Sequence, residues 1–139
     1  MGFPMTDRIA IDAALIATAA AIICLTTAHA QEPSTASHYG NSYQGNIMYC
    51  GSDYGRYDTN NPLIMAVGPS RYNSWPCGTL GIVVGPAGAV IVQSTDRCPG
   101  CVDRYADRID LSEAGHAIVC GPGGGVCNVV LHRLAEVER

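Results

Sequence analysis

Two aspartates stand on either side of a cysteine-pinned turn. Asp96 lies in Ser94-Thr95-Asp96-Arg97-Cys98-Pro99-Gly100-Cys101, and Asp110 lies in Ile109-Asp110-Leu111-Ser112. The apolar run Ala89-Val90-Ile91-Val92 leads into the first of them. Such a unit reads as strand, turn and strand presenting carboxylates, which is the equipment for work on sugars. At least one of the two would sit in a cleft where burial holds its pKa near the working pH, so that it protonates a glycosidic oxygen. A structural role competes: Asp96 beside Arg97 reads as an ion pair, and Asp110 before Leu111-Ser112 as part of a helix-capping turn. Asp103 and Asp107, in the polar 102–108 loop with Arg104 and Arg108, read as solvated surface charge.

The candidate ring residues cluster as well. Tyr39, Tyr43, Tyr49, Tyr54, Tyr57, Tyr72 and Trp75 fall between residues 39 and 75, with Tyr105 apart. Flat rings with a polar tip stack on sugar faces and hydrogen-bond at their edge. Tyr39, Tyr43 and Tyr105 are the first choices for lining a binding surface, and part of the cluster must be core. His38, His116 and His132 show no constellation, and His116 reads as a packing or surface residue. Ser37, Ser94 and Ser112 lack a partner pattern for nucleophilic catalysis.

The elements that must hold these residues are short. Residues 1–30 read as a secretory signal: a brief polar start, an apolar stretch over residues 9–27, and Ala28-His29-Ala30 as a cleavage site. An uncleaved anchor is the alternative. Cys24 does not follow a lipidation pattern. Cleavage would leave residues 31–139 as one small domain with six cysteines: Cys50, Cys77, Cys98, Cys101, Cys120 and Cys127. An even count in an exported chain reads as three disulfides, whose pairing the spacing leaves open. Cys120 and Cys127 flank Gly121-Pro122-Gly123-Gly124-Gly125 and are expected to close that loop. Cys98-Pro99-Gly100-Cys101 admits redox, zinc or structural readings. Export and the absence of a βαβ pattern favour the structural one, and no metal or cofactor is expected.

Strands are expected at residues 36–39, 47–49, 80–84, 89–94, 109–111 and 126–132. Residues 63–67 form a strand or a helical turn. Gly85-Pro86-Ala87-Gly88 makes a tight hairpin, and Ser112 caps a short helix over residues 113–119. The fold class is all-β: a small disulfide-stapled barrel with one or two short helices. The net charge is −4 and every cation is Arg, with no Lys. No basic patch exists to hold phosphates, so nucleic acid is not an expected partner.

Taken in order, Thr35-Ala36-Ser37-His38-Tyr39-Gly40, Tyr49-Cys50-Gly51, Ile64-Met65-Ala66-Val67, Pro76-Cys77-Gly78-Thr79, Thr95-Asp96-Arg97-Cys98-Pro99-Gly100-Cys101 and Ile109-Asp110-Leu111-Ser112 resemble the double-psi β-barrel proteins of the rare-lipoprotein-A and expansin-like group. That group includes the small single-domain loosenin-like proteins, and the resemblance covers nearly all of residues 31–139. It implies a six-stranded barrel with an open groove, secretion or a periplasmic location, and a cell-wall polysaccharide as partner, peptidoglycan or a plant or fungal-type glycan, met as a monomer. It implies that Asp110 is the aspartate needed for wall loosening in expansin-like proteins, with Asp96 beside it. Tyr39 falls near a small polar groove residue of bacterial expansins.

Two departures matter. Lytic transglycosylases of the rare-lipoprotein-A type carry a histidine where this chain has Met65-Ala66-Val67-Gly68. Expansins also carry a second, carbohydrate-binding domain, and with the sequence running only a short way past the barrel, tight cellulose binding is not expected. The expectation is therefore a glycan-loosening module. A peptidoglycan lytic transglycosylase with Asp110 as acid and base is the first alternative, and a secreted protein-binding barrel the second.

Overall fold

The computed structural model describes residues 31–102 and 108–134. The sequence-predicted leader, Tyr105, Asp103 and Asp107 lie outside the described residues. Six strands form the frame: β1 (Gln31–His38), β2 (Ile64–Val67), β3 (Leu80–Val84), β4 (Ala89–Arg97), β5 (Arg108–Leu111) and β6 (Cys127–Arg133). One helix, α1 (Glu113–Cys120), lies between β5 and β6. The strands close into a barrel in the order β1-β5-β2-β4-β3-β6. The pairs β1/β5 and β2/β4 are parallel and the others antiparallel. Closure gives every strand a partner on both sides over at least part of its length, which limits open sheet edge.

Side chains alternate across each strand, and that alternation divides the buried residues into two clusters. Met65, Val67, Val83, Val92, Ile109, Leu111 and Leu131 fill the barrel with Trp75 and Val119. Ile64 and Ala66 project from the other face of β2 and pack under Tyr39, Met48 and Tyr57. All four residues of β2 are buried because the segment before it covers its outer face. A strand covered on both faces is continuously apolar, which is why Ile64-Met65-Ala66-Val67 showed no period in the sequence.

The hairpin and helix form where expected. Gly85 N donates to Gly88 O at 2.9 Å, and Ala87 N donates to Val119 O at the end of α1. Ser112 caps α1, its Oγ accepting from Gly115 N at 3.1 Å. Cys120–Cys127 closes the glycine-rich loop, Cys98–Cys101 bridges the C-x-x-C, and Cys50–Cys77 joins residues 27 apart. The open choice at the C-x-x-C resolves to a disulfide.

Three stretches differ from expectation, the first being β4, which runs on to Arg97 rather than ending at Ser94 and so carries Asp96 within a strand. Residues 47–49 are not a strand: Ile47 makes one isolated bridge, to Arg56. Gly45, Gly51 and Gly55 all take positive φ and turn the backbone before a ladder can extend. β1 starts at Gln31 rather than at residue 36, through Pro33. Residues 31–34 pair only with β6, and pairing to β5 begins at Thr35, so the missing N–H of Pro33 lies where β1 has a single partner. Glu32 anchors this end, accepting from Trp75 Nε1 at 3.2 Å and pairing with Arg71 Nε at 3.2 Å.

Gly81 tests the packing of this end. A Cβ there would lie 2.5 Å from the Trp75 ring and 2.9 Å from His132 O. The ring is 1% exposed and has no room to retreat. Gly81→Ala is expected to lower stability by about 1–3 kcal/mol, as overpacking does. Thermal denaturation checks this, and an unchanged melting temperature would refute it.

Candidate functional site

Strand register brings the two aspartates to one face. Ala66 on β2 pairs with Asp110 on β5 at one side and with Asp96 on β4 at the other. Ser37 on β1 pairs with Asp110. Ser37, Asp110, Ala66 and Asp96 thus form a row across four adjacent strands. With neighbouring strands about 4.8 Å apart, the two aspartate backbones stand roughly 10 Å from each other.

A bulge sets this row. Met65 pairs with Ser94 but Ala66 pairs with Asp96, so Thr95 is an extra residue in β4. The shift turns Asp96 onto the face of Ala66, where an unbroken register would have placed Thr95. The Thr95 hydroxyl is buried and has no hydrogen-bond partner among the described residues.

Each carboxylate has its own environment. Ser37 Oγ donates to Asp110 Oδ1 at 2.8 Å. Burial raises the pKa of Asp110 above its ordinary value of 3.8. The Ser37 hydroxyl opposes that rise, followed by Arg108, His38 and His116. Asp96 instead accepts three donors: Tyr49 N at 2.7 Å and Arg97 N at 2.9 Å on Oδ1, and the Tyr39 hydroxyl at 2.7 Å on Oδ2. Asp96 is thereby a scaffold for the chain around it.

Tyr39 ties the row together. It leaves the end of β1, its N–H bonded to Leu111 O, and its ring lies in the cluster with Ala66 while its hydroxyl reaches Asp96. The small side chain of Ala66 leaves space for that ring. Burial, and then the bond to Asp96, hold the phenol far above its ordinary range, so it stays a donor. Tyr39→Phe keeps the ring contacts with Tyr43 and Tyr57 and removes the donor. The variant is expected to lose about 1–2 kcal/mol of stability, measured by denaturant unfolding. A neutral result would mean that the hydroxyl does not hold Asp96.

Of the ring residues picked from sequence, Tyr39 is buried and Tyr43 is 51% exposed, meeting Tyr39 edge-on with centroids 5.6 Å apart. Tyr105 lies outside the described residues. The reading that the histidines form no constellation needs correction. The His38 and His116 rings lie 4.8 Å apart and both act electrostatically on Asp110. His38 Nδ1 donates to Tyr39 O and His116 Nε2 to Gly125 O, both at 2.8 Å. Burial lowers the pKa of His116, with the bond to Gly125 opposing. Parallel pairing of β1 with β5 followed by α1 makes this contact, and no local spacing announces it. Arg97, read from sequence as an ion-pair partner of Asp96, instead sets its guanidinium carbon against the rings of Tyr49 and Tyr72. Among the described residues no group of three or more His, Cys, Asp or Glu is placed to hold a metal ion, and no helix is long and apolar enough to cross a membrane.

No protein-family model matches the chain, and no curated protein matches it. Solved structures do. An apo expansin of Clavibacter michiganensis superposes with a TM-score of 0.59 at 25% identity, covering 79% of this chain and 53% of the expansin. An Asp-to-Asn variant of Clavibacter michiganensis expansin, in complex with cellohexaose, gives 0.56 at 22% identity with the same coverages. A Streptomyces papain inhibitor gives 0.57 at 21% identity, covering 76% of this chain and 96% of the inhibitor. The chain thus spans about half the length of the expansins it matches. With its closed six-stranded order, three disulfides and this likeness, the chain is an expansin-like double-psi β-barrel.

Proposed function

We propose that this protein is a secreted, monomeric cell-wall glycan-binding module that loosens polysaccharide without cleaving it. The observation that carries the reading is the row of Ser37, Asp110 and Asp96 on one barrel face, with Tyr39 crossing between the carboxylates. Hydroxyl-rich chains are recognised by carboxylates and hydroxyls spaced along a face with an exposed ring at its margin, the place Tyr43 occupies. The complex of the expansin variant with cellohexaose supports the same class of ligand. Asp110 and Ser37 would exchange hydrogen bonds with sugar hydroxyls as Asp96 holds the adjoining backbone. That competes with contacts between glycan chains and needs no bond cleavage. Residues 1–30 would direct export, in keeping with the disulfides.

One observation favours a second reading. Burial raises the pKa of Asp110, which suits a general acid. A lytic transglycosylase needs one carboxyl, to protonate the glycosidic oxygen and then to take the proton of the sugar hydroxyl that attacks internally. Incubating the purified, oxidised protein with peptidoglycan, cellulose and chitin separates the readings. Pull-down on a polymer with no soluble product in mass spectra supports loosening. Anhydro-muropeptides that vanish in Asp110→Asn establish the transglycosylase. Neither binding nor product on any polymer overturns both and leaves a protein-binding barrel.

A further inference from the structure

Beside Asp96, the Arg97 guanidinium carbon sits 3.9 Å from the centre of the Tyr49 ring and 4.2 Å from that of Tyr72. The backbone N–H groups of Tyr49 and Arg97 both bond to Asp96 Oδ1, so one carboxylate oxygen fixes two members of the stack. The Cys50–Cys77 disulfide secures the residue after Tyr49. Among the described residues the guanidinium makes no hydrogen bond or ion pair. Asp96 makes no ion pair with it, and its oxygens accept instead from the two amides and the Tyr39 hydroxyl. Tyr49 is 58% exposed, so the platform is open to solvent.

An arginine stays charged at any physiological pH, and its N–H groups lie in the plane of the guanidinium. Contact of its carbon with both rings uses none of these N–H groups, which remain for hydrogen bonding. They present a fork that matches two oxygens of a carboxylate, and the stack already fixes its orientation. The chain carries a net charge of −4, so attraction of an acidic ligand would be short-range and local to this stack.

We propose that Tyr49, Arg97 and Tyr72 form a subsite for a carboxylate-bearing sugar, adjoining the Asp96 end of the glycan-binding row. This rests on the glycan reading above and adds acidic sugars as its substrate class. The carboxylate belongs either to a uronic acid or to the lactyl group of a muramic-type sugar. In both cases it lies against the guanidinium edge as the neighbouring ring packs on Tyr49.

Isothermal titration of the full protein tests this with four probes: an oligogalacturonate, peptide-free peptidoglycan glycan strands, a cello-oligosaccharide and a chito-oligosaccharide. The wild-type protein is expected to bind one of the acidic probes about tenfold or more tighter than the neutral ones. The preferred acidic probe identifies the source of the carboxylate. Arg97→Gln is expected to remove the preference and leave neutral binding within about twofold. Arg97→Lys should not restore it, because an ammonium lacks the planar fork. Tyr49→Phe should retain it, because the stack survives. No acidic preference in a protein that binds neutral probes overturns the subsite alone, and equal loss of acidic and neutral binding in Arg97→Gln does the same. Failure to bind any of the four overturns the glycan reading with it.

Discussion

Asp110→Asn is expected to raise the melting temperature of this protein and at the same time to remove its action on glycan. The carboxyl is half-buried, and its main supporting contact is the hydroxyl of Ser37. Asparagine has the same shape, and its Oδ1 still accepts from Ser37. What disappears is the need to bury a charge. The stability effect has a defined pH dependence. A carboxyl whose pKa is raised on folding holds its proton more tightly in the native state than in the unfolded chain. The native state therefore binds more protons in the window between the ordinary value of 3.8 and the raised one, and stability falls as pH rises through it. The asparagine variant does not titrate there. Its advantage is absent below pH 3.8, opens across the window and is fully developed above it.

Function moves the opposite way. The amide neither gives up a proton nor carries charge to a sugar hydroxyl. Binding to the preferred polymer is expected to fall about tenfold or more, as loss of a charge-assisted hydrogen bond would dictate. Melting curves from pH 3 to 8 beside pull-down assays check both halves. A stabilised variant with unchanged glycan binding would take Asp110 out of the site. A destabilised variant would make the residue structural.

How much of this was legible beforehand depends on the range of the contact. Asp96 and Asp110 stood out because each lies near the end of a strand, beside a cysteine or a helix cap, and those signals are local. The hairpin at residues 85–88 and the Ser112 cap were readable for the same reason. The bulge at Thr95 was not, because nothing in Ser94-Thr95-Asp96 says which of the three will face Ala66. That choice is made by β2, some thirty residues earlier in the chain. The closeness of His38 and His116 is likewise set by the pairing of β1 with β5, from which α1 departs. Tyr49 read as one ring among many and as the end of a strand. Its role emerged only when glycines turned residues 45–55 back over β4, putting its amide on Asp96. The resemblance to expansin-like proteins supplied the number of strands in the barrel, and their order emerged only from the structure.

Loss of the Cys50–Cys77 disulfide is expected to have the largest effect on stability, and to act on the site as well. The bridge joins residues 27 apart. By the loop-entropy account, cross-linking at that separation contributes about 3.5 kcal/mol through the unfolded chain. The Cys98–Cys101 bridge spans 3 residues, and by the same reasoning contributes under half of that. The long bridge also clamps the bulge that carries Asp96. Cys50 N donates to Thr95 O at 3.1 Å and Gly78 N, next to Cys77, donates to Ser94 O at 2.8 Å. Both ends of the disulfide are thus pinned to the stretch of β4 that turns Asp96 onto the Ala66 face. Residues 41–57 have no strand of their own beyond the Ile47–Arg56 bridge, so they depend on such anchors.

The Cys50→Ser, Cys77→Ser double variant should therefore unfold roughly 10–20 °C lower, at the scale of a domain this size. Below that temperature, the Tyr49 amide should exchange with solvent much faster than amides in β3 or β6, because its acceptor Asp96 Oδ1 is no longer held against it. The matching Cys98→Ser, Cys101→Ser variant should show the smaller stability loss and leave Tyr49 protected. Equal melting temperatures for the two variants would refute the entropic argument. A protected Tyr49 amide in the Cys50→Ser, Cys77→Ser protein would show that Asp96 is held by β4 alone, and that the disulfide serves stability without shaping the site.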